Sequence, residues 1–474
     1  VVVTDIVHAQ KLLLEHLGVK KLAGVIGGSF GGMQVIEWGI RYPEFVERCI
    51  CIAAGASLSA QALAFDLVAR DAILSDPNWA GGDYYEREKK PSWGLSHARK
   101  IGHITYLSPE IMQERFGREK IGDEGETNRR YRFQVESYLD HQGKKLVDRF
   151  DANSYLTITQ AMDSYDLVKE YGSLEEAFKN VRSKFLVIAL SSDWLFPPEQ
   201  SVEIANALLR TNKQVSCCTL EAPYGHDAFL LDIEHLPDII NAFLPWVENR
   251  EKESVVRSRR RRDKIQACPA IGGESGDRGR EFEIISNIIK PGKTVLDLGC
   301  GAGDLLTMLV KERNISGIGV DIDVNHVIEV IDKGHDIFQG DIDAGLAMIP
   351  DNTYDYAILS ETLQIVRKPR FVLNEMLRVA KEGIVSFPNI GRLHHRLRIG
   401  FSGKMPKDAS LPFEWYDTPN IHLFTLRDFV ELCFKENIKI QDLVSIPEGV
   451  ISRFLVSLGL CNLGADRVLV RITR

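Results

Sequence analysis

Six residues, Gly27-Gly-Ser-Phe-Gly-Gly32, constrain the first half of the chain more than any other stretch. An apolar run, Lys21-Leu-Ala-Gly-Val-Ile26, precedes them, and the helically spaced run Met33 to Ile40 follows. Strand, sharp turn and helix therefore meet with Ser29 at the apex. Such a turn strains its apex residue and leaves no room for side chains two residues before or after it, which is the expected reason for Gly27 and Gly31. The hydroxyl then stands clear of the sheet at the positive end of a helix, where a developing oxyanion is stabilised. Taken alone, the motif suits a nucleophile and an ordinary Gly-rich turn about equally well.

At 474 residues the chain suits two or more domains. Its 44% hydrophobic and 26% charged residues are those of a globular protein, and a net charge of -8 gives no overall attraction to nucleic acid or anionic membrane. No run of about 20 apolar residues is present, and Val1-Val-Val-Thr-Asp5 has no signal-peptide character. The eight cysteines form neither a disulfide framework nor a zinc-binding spacing. A cytoplasmic protein with no bound metal, nucleic-acid partner or membrane partner is the expectation.

Residues 4–17 read as an amphipathic helix capped by Thr4 or Asp5, with no role for His8 or His16. The elbow follows, then a strand-like run from Phe45 to Ala54. Strand, helix, strand implies a parallel sheet. From about 57 to 165 the pattern turns to helices rich in Arg, Asp, Tyr and Trp, an insertion over the sheet. Strands resume at Phe185–Leu190 and Gln214–Leu220, and a helix near Ile239–Val247 closes the domain. Asp193 follows one of these strands and His226 the next, so both should emerge at the sheet edge that carries Ser29. Serine, acid and histidine in that order match the α/β-hydrolase arrangement, with His226 as base and Asp193 as its orienting acid.

Four runs carry a closer resemblance: Gly27-Gly-Ser-Phe-Gly-Gly-Met-Gln34, Arg70-Asp-Ala-Ile-Leu-Ser-Asp-Pro77, Gly81-Gly-Asp-Tyr-Tyr85 and Tyr224-Gly-His-Asp-Ala-Phe229. Together they resemble homoserine O-acetyltransferase over nearly all of residues 1–246. The resemblance implies ping-pong transfer from acetyl-CoA to Ser29 and then to L-homoserine, and a homodimer formed through the lid. It also implies a lid arginine and tyrosine at the substrate, matched here to Arg70 and Tyr84. Arg70 would take the homoserine carboxylate and Asp227 its ammonium. A surface role is the plain alternative for Arg70. A succinyl donor, or an esterase with a binding-only second domain, are the competing readings.

The chain begins at the helix before the elbow, so the family's earlier strands and one oxyanion-hole loop are expected to be missing, leaving the Phe30 amide as donor and the elbow strand at an open edge. Residues 247–279, charged and Gly-rich with the basic run Arg257–Arg262, have the composition of a flexible linker.

A second Gly-rich turn, Asp297-Leu-Gly-Cys-Gly-Ala-Gly303, lies between a strand from Thr294 and a helix from Leu305. Gly299, Gly301 and Gly303 allow close approach of a ligand. Asp321 ends the next strand, where a carboxylate can accept two ribose hydroxyls. The G-x-G-x-G spacing resembles the S-adenosylmethionine motif of class I methyltransferases; Asp341 and Ile342 would then lie near the adenine. An empty Rossmann-like scaffold is the alternative. Residues 280–474 resemble the MetW family of methionine biosynthesis through Leu359–Gln364, Asn374–Val379, Ile384–Asn389 and Leu411–Phe424. That resemblance implies a domain that supports or regulates the acetyltransferase. His394, His395 and His422 are weak candidates for methyl-transfer chemistry. The whole reads as α/β: an α/β-hydrolase-fold acyltransferase with a helical lid, then a Rossmann-like methyltransferase-fold domain.

Overall fold

The computed structural model describes residues 1–120, 133–231, 233–244, 275–347, 349–408, 411 and 413–474. Most of the expected linker, 247–279, lies outside them. The chain divides into two compact units, Val1–Ile240 and Asn241–Arg474.

In the first unit four parallel strands run in the order β1 (Val25–Gly28), β2 (Arg48–Ile52), β3 (Lys184–Leu190) and β4 (Val215–Leu220). β3 is buried almost throughout, as its unbroken apolar sequence requires. β1 pairs with β2 alone among the described residues and carries the exposed Ile26. The first helix, Val3–His16, starts a residue earlier than expected: Val2 is its cap, and Asp5 reaches back to accept the Val2 amide at 3.0 Å. The helix Phe30–Arg41 packs its apolar face, Met33, Ile36 and Ile40, onto the sheet. Between β2 and β3 the expected insertion is present as helices Ala60–Leu74, Ser92–Tyr106, Pro109–Phe116, Gln134–Val147 and Ala152–Asp163. They have a core of their own around Ile73, Tyr84, Leu95 and Leu156.

The second unit orders its strands β7 (Asp336–Gln339), β6 (Ser316–Asp321), β5 (Thr294–Leu298), β8 (Tyr354–Ser360), β9 (Ala380–Pro388), β11 (Arg467–Thr473) and β10 (Lys439–Ile446). β5 to β9 are parallel, whereas β11 runs antiparallel to both its neighbours. The chain winds outward from β5 in one direction and then from β8 in the other. The switch point therefore falls at the carboxyl end of β5, where ligands bind in sheets of this kind.

Candidate functional sites

Ser29 has φ 56 and ψ -124, a left-handed conformation that a serine adopts only under constraint. The constraint is visible around it. Its amide donates to the Ile52 carbonyl at 3.0 Å, and its own carbonyl accepts the amides of Gly32 and Met33. A Cβ on Gly27 would stand 2.4 Å from the Gly31 carbonyl oxygen. Gly31 itself corrects the expectation: a Cβ there meets nothing within 4 Å, and the other crowded positions of the turn are Gly28, against Phe229, and Gly32, against Ala54 and Cys51. As the first helical residue, Phe30 leaves its amide without an intrahelical acceptor.

Asp193 and His226 come together. His226 Nδ1 lies 2.7 Å from Asp193 Oδ2, and both side chains are buried. The other acid oxygen, Oδ1, accepts the amides of Leu195 and Phe196 at 3.0 and 2.9 Å, which fixes the carboxylate independently of the histidine. The imidazole stacks on Phe196 at 5.3 Å and meets the edge of Phe229 at 5.7 Å, so its ring plane is set on two sides.

A cavity of about 270 Å³ lies between sheet and lid, lined by Ser29, Phe30, Leu195 and, from the lid, Asp66, Arg99 and Tyr106. Arg99 and Tyr106 were not foreseen. The guanidinium of Arg99 sits 5.3 Å from the Tyr106 ring centroid, and Tyr106 lies 6.1 Å from the His226 ring. Arg99 Nε is buried with no hydrogen-bond partner. Burial raises the Asp227 carboxyl above its ordinary value, with the charges of His226 and Arg99 opposing it. Cation and phenol thus line the cavity, whereas Asp227, next to the histidine in the chain, is not among the residues that line it. The signal in the sequence was spacing: Arg99, Gly102 and Tyr106 recur on one face of the helix Ser92–Tyr106, and all three line the cavity.

The two residues matched from the resemblance are elsewhere. Arg70 is buried in an ion pair with Asp163. The Tyr84 hydroxyl donates to Asp151 and accepts the Asn153 amide at 3.0 Å. Neither lines the cavity. Arg70 ties the helix Ala60–Leu74 to the helix Ala152–Asp163, and Tyr84 ties its loop to the start of that second helix.

In the second unit Gly299, Gly301 and Gly303 all have positive φ. A Cβ on Gly299 would lie 2.7 Å from Thr362, and one on Gly303 would lie 2.9 Å from Val330, but around Gly301 there is open space. Asp321 differs from the expectation of a free carboxylate. Its Oδ2 accepts the Gly301 amide at 2.8 Å, while Oδ1 accepts the Asp323 amide at 3.0 Å and faces His326 Nδ1 at 3.1 Å. Burial would raise its pKa, but these bonds hold it below the ordinary value. Asp321 therefore ties the turn together and keeps only part of its capacity for a ribose. Asp297 is fully buried, and desolvation, with Asp321 nearby, pushes it up to about 7. Asp341 caps a short turn by accepting the Asp343 amide at 2.9 Å, and Ile342 is buried. Open space at Gly301 beside an ionised Asp321 fits a nucleoside ligand.

The candidate histidines do not gather at this turn. His395 is buried, 2.6 Å from Asp408, whose carboxylate is also taken by Arg392. His394 is largely exposed, and the His422 amide donates to the Gln364 carbonyl at 2.9 Å.

Comparison with known proteins follows the same division. The alpha/beta hydrolase fold family matches residues 3–233, and Methionine biosynthesis protein MetW matches residues 279–469. The bifunctional methionine biosynthesis protein MetXA/MetW of Rhodopirellula baltica is 38% identical over 93% of this chain and 70% of its own length. The homoserine O-acetyltransferase of Methanosalsum zhilinae is 49% identical over 52% of this chain and 49% of its own. The homoserine O-succinyltransferase of Burkholderia multivorans is 47% identical over 52% of this chain and 67% of its own. The chain spans about half the length of several of the acetyltransferases it matches.

Proposed function

The chain belongs to the bifunctional MetXA/MetW family of methionine biosynthesis proteins, and from that premise we propose that its first unit transfers an acetyl group from acetyl-CoA to the hydroxyl of L-homoserine through acyl-Ser29. The observation that carries this reading is the shared cavity, lined by Ser29 and Phe30 of the elbow and by Arg99 and Tyr106 of the lid. His226, oriented by Asp193 through Nδ1, takes the Ser29 proton at Nε2 as Oγ attacks the thioester carbonyl. The Phe30 amide receives the oxyanion. Collapse breaks the C–S bond, and His226 returns the proton to the departing thiolate. The homoserine hydroxyl then gives its proton to His226 as it attacks the acyl-serine, and Ser29 leaves with that proton. Arg99, with an unpartnered buried Nε, suits the amino-acid carboxylate, and Asp227 suits the ammonium.

Intact-mass measurement tests this. Acetyl-CoA should add one acetyl group, Ser29→Ala should abolish the adduct, and L-homoserine should discharge it faster than water does. Discharge by water alone at the same rate would make the protein an esterase.

In the second unit, Gly299, Gly301, Gly303 and Asp321 would hold S-adenosylmethionine, which when bound supplies an electrophilic methyl group. Asp297, Asp341 and Ile342 would shape the pocket around it. The second unit would support the acyltransferase, so removal of residues 280–474 should lower homoserine acetylation. The exposed Leu67, Val68 and Leu74 on the lid helix Ala60–Leu74 suit pairing of two copies, which light scattering of the purified chain would read directly.

A further inference from the structure

The acyltransferase reading leaves one wall of the cavity without a role. Asp66 lines that wall, one helical turn before Arg70 on Ala60–Leu74. Arg70 is committed to Asp163, and the Asp66 carboxyl is hydrogen-bonded to Asp163 as well. One guanidinium thus pairs with one acid and acts on the other by its charge alone, and Asp66 Oδ2, Asp163 Oδ1 and Arg70 Nη1 are buried with no hydrogen-bond partner. Neighbouring carboxyls resist ionising together. Burial first, then the bond to Asp163 and its charge, push the Asp66 carboxyl up to about 7 against the attraction of Arg70. The groups acting with it are Asp163 and Tyr155 on the helix Ala152–Asp163 and Tyr106 on the helix Ser92–Tyr106, and Arg99 lines the same cavity. The apolar part of the lining includes Phe30, Leu58, Phe65, Met162 and Leu195.

We propose that Asp66 sets acyl-donor specificity, its carboxylate excluding acyl groups that end in a second carboxylate while accepting acetyl. Both donor classes occur among the relatives. The covalent step is the same for either donor: the thioester C–S bond breaks, the Ser29 Oγ–C bond forms, and the proton travels through His226 to the thiol. Only a remote negative charge distinguishes a succinyl group, and Arg99, the one guanidinium among the lining residues, lies over the Tyr106 ring on the helix Ser92–Tyr106, not on the helix that carries Asp66. A succinyl carboxylate entering this wall meets an acid where it needs a cation. The exclusion strengthens as pH rises through about 7: below that value one shared proton leaves the two acids balanced by Arg70, and above it the second negative charge exceeds what Arg70 balances.

The test measures kcat/KM for succinyl-CoA and acetyl-CoA on the full chain between pH 6 and 8.5. The succinyl-to-acetyl ratio should fall about tenfold across that range in the wild type, as expected for a charge set against a charge in a partly desolvated site. In Asp66→Asn the ratio should stay flat and exceed the wild type about tenfold at pH 8.5. Asp163→Asn, which removes the neighbouring acid but keeps Asp66, should move the fall to lower pH. A wild-type ratio independent of pH, or one at pH 8.5 that Asp66→Asn leaves unchanged, overturns the proposal. Because it rests on the acyltransferase reading, Ser29 labelling is measured alongside. Labelling by neither donor overturns that reading itself, whereas acetyl labelling with an unaltered ratio overturns the role of Asp66 alone.

Discussion

The indole N–H of Trp194 donates to the Leu107 carbonyl at 3.1 Å, tying the loop of the acid Asp193 to the lid. On the other side of the same lid segment, Ser108 donates its hydroxyl to the Pro223 carbonyl, just before His226. Tyr106, Leu107 and Ser108 are therefore clamped between the acid loop and the histidine loop, and this clamp sets Tyr106 and Arg99 at the cavity.

Gly225 makes the clamp testable. Its φ is 79, and a Cβ there would stand 2.5 Å from the Ser108 amide nitrogen and 2.8 Å from the Tyr106 carbonyl oxygen. Backbone on both sides cannot yield as a side chain would. Gly225→Ala should destabilise the protein by more than about 1–3 kcal/mol, the usual cost of a strained residue, and lower kcat/KM for homoserine more than it lowers Ser29 acylation. Thermal melts with separate half-reaction kinetics would read both effects.

Asp193→Asn should keep the fold, because Asn Oδ1 can still accept the Leu195 and Phe196 amides. It cannot enforce the His226 tautomer. Acylation by acetyl-CoA is expected to fall about 10³- to 10⁴-fold with little change in melting temperature. A loss below tenfold would remove Asp193 from the triad.

The elbow was legible because local rules and distant chemistry agree there. The Gly27–Gly32 spacing, the flanking apolar run and an acid and histidine after later strands all demand the same sheet edge. The lid was legible as an insertion but not residue by residue. Arg70 and Arg99 are both arginines on amphipathic helices, and what separates them is which face meets the cavity and whether an acid already occupies the guanidinium. That depends on Asp163, more than ninety residues away along the chain. Asp321 shows a similar limit: its place at the end of β6 followed from the strand–turn–helix pattern, whereas its bonds to Gly301, Asp323 and His326 depend on how the turn folds back.

Arg99→Ala should separate the two half-reactions. Hydrogen bonds to charged groups are worth roughly 1.5–3 kcal/mol, so kcat/KM for L-homoserine should fall between about tenfold and a hundredfold, whereas acyl-Ser29 should form at the wild-type rate. Equal losses in both steps would mean that Arg99 shapes the cavity and does not hold the amino acid. The same measurements on Arg70→Lys should show a stability change in place of a KM change.

Asp297 gives a stability signature. Its folded pKa, about 7, lies above the ordinary carboxyl value of about 3.9. Between those values the unfolded chain ionises while the folded one stays protonated, so stability falls as pH rises from about 4 to 7 and levels off above. At about 1.4 kcal/mol per pH unit the loss is at most about 4 kcal/mol. Asp297→Asn should therefore be more stabilising, or less destabilising, at pH 8 than at pH 4.5. A difference between variant and wild type that is independent of pH would show that Asp297 is ionised in the fold.

Asp321 and His326 give a dependence of the same sign from a different cause, an ion pair in place of a buried acid. The bond to Asp321 raises the His326 pKa above its ordinary value, with burial opposing it. A raised histidine stabilises the fold fully below its unfolded pKa and loses that contribution as pH climbs through the folded one. Asp321→Asn removes the carboxylate, so its melting temperature should lie further below the wild type at pH 6 than at pH 9. The same variant bears on the ligand. If the carboxylate holds the ribose as well as the turn, calorimetry on the full chain at pH 8, where the His326 contribution is receding, should still show weaker S-adenosylmethionine binding in the variant. His326→Ala, which leaves Asp321 Oδ1 with the Asp323 amide as its one described partner, should bind at least as tightly as the wild type. Tighter binding by Asp321→Asn would confine Asp321 to holding the turn.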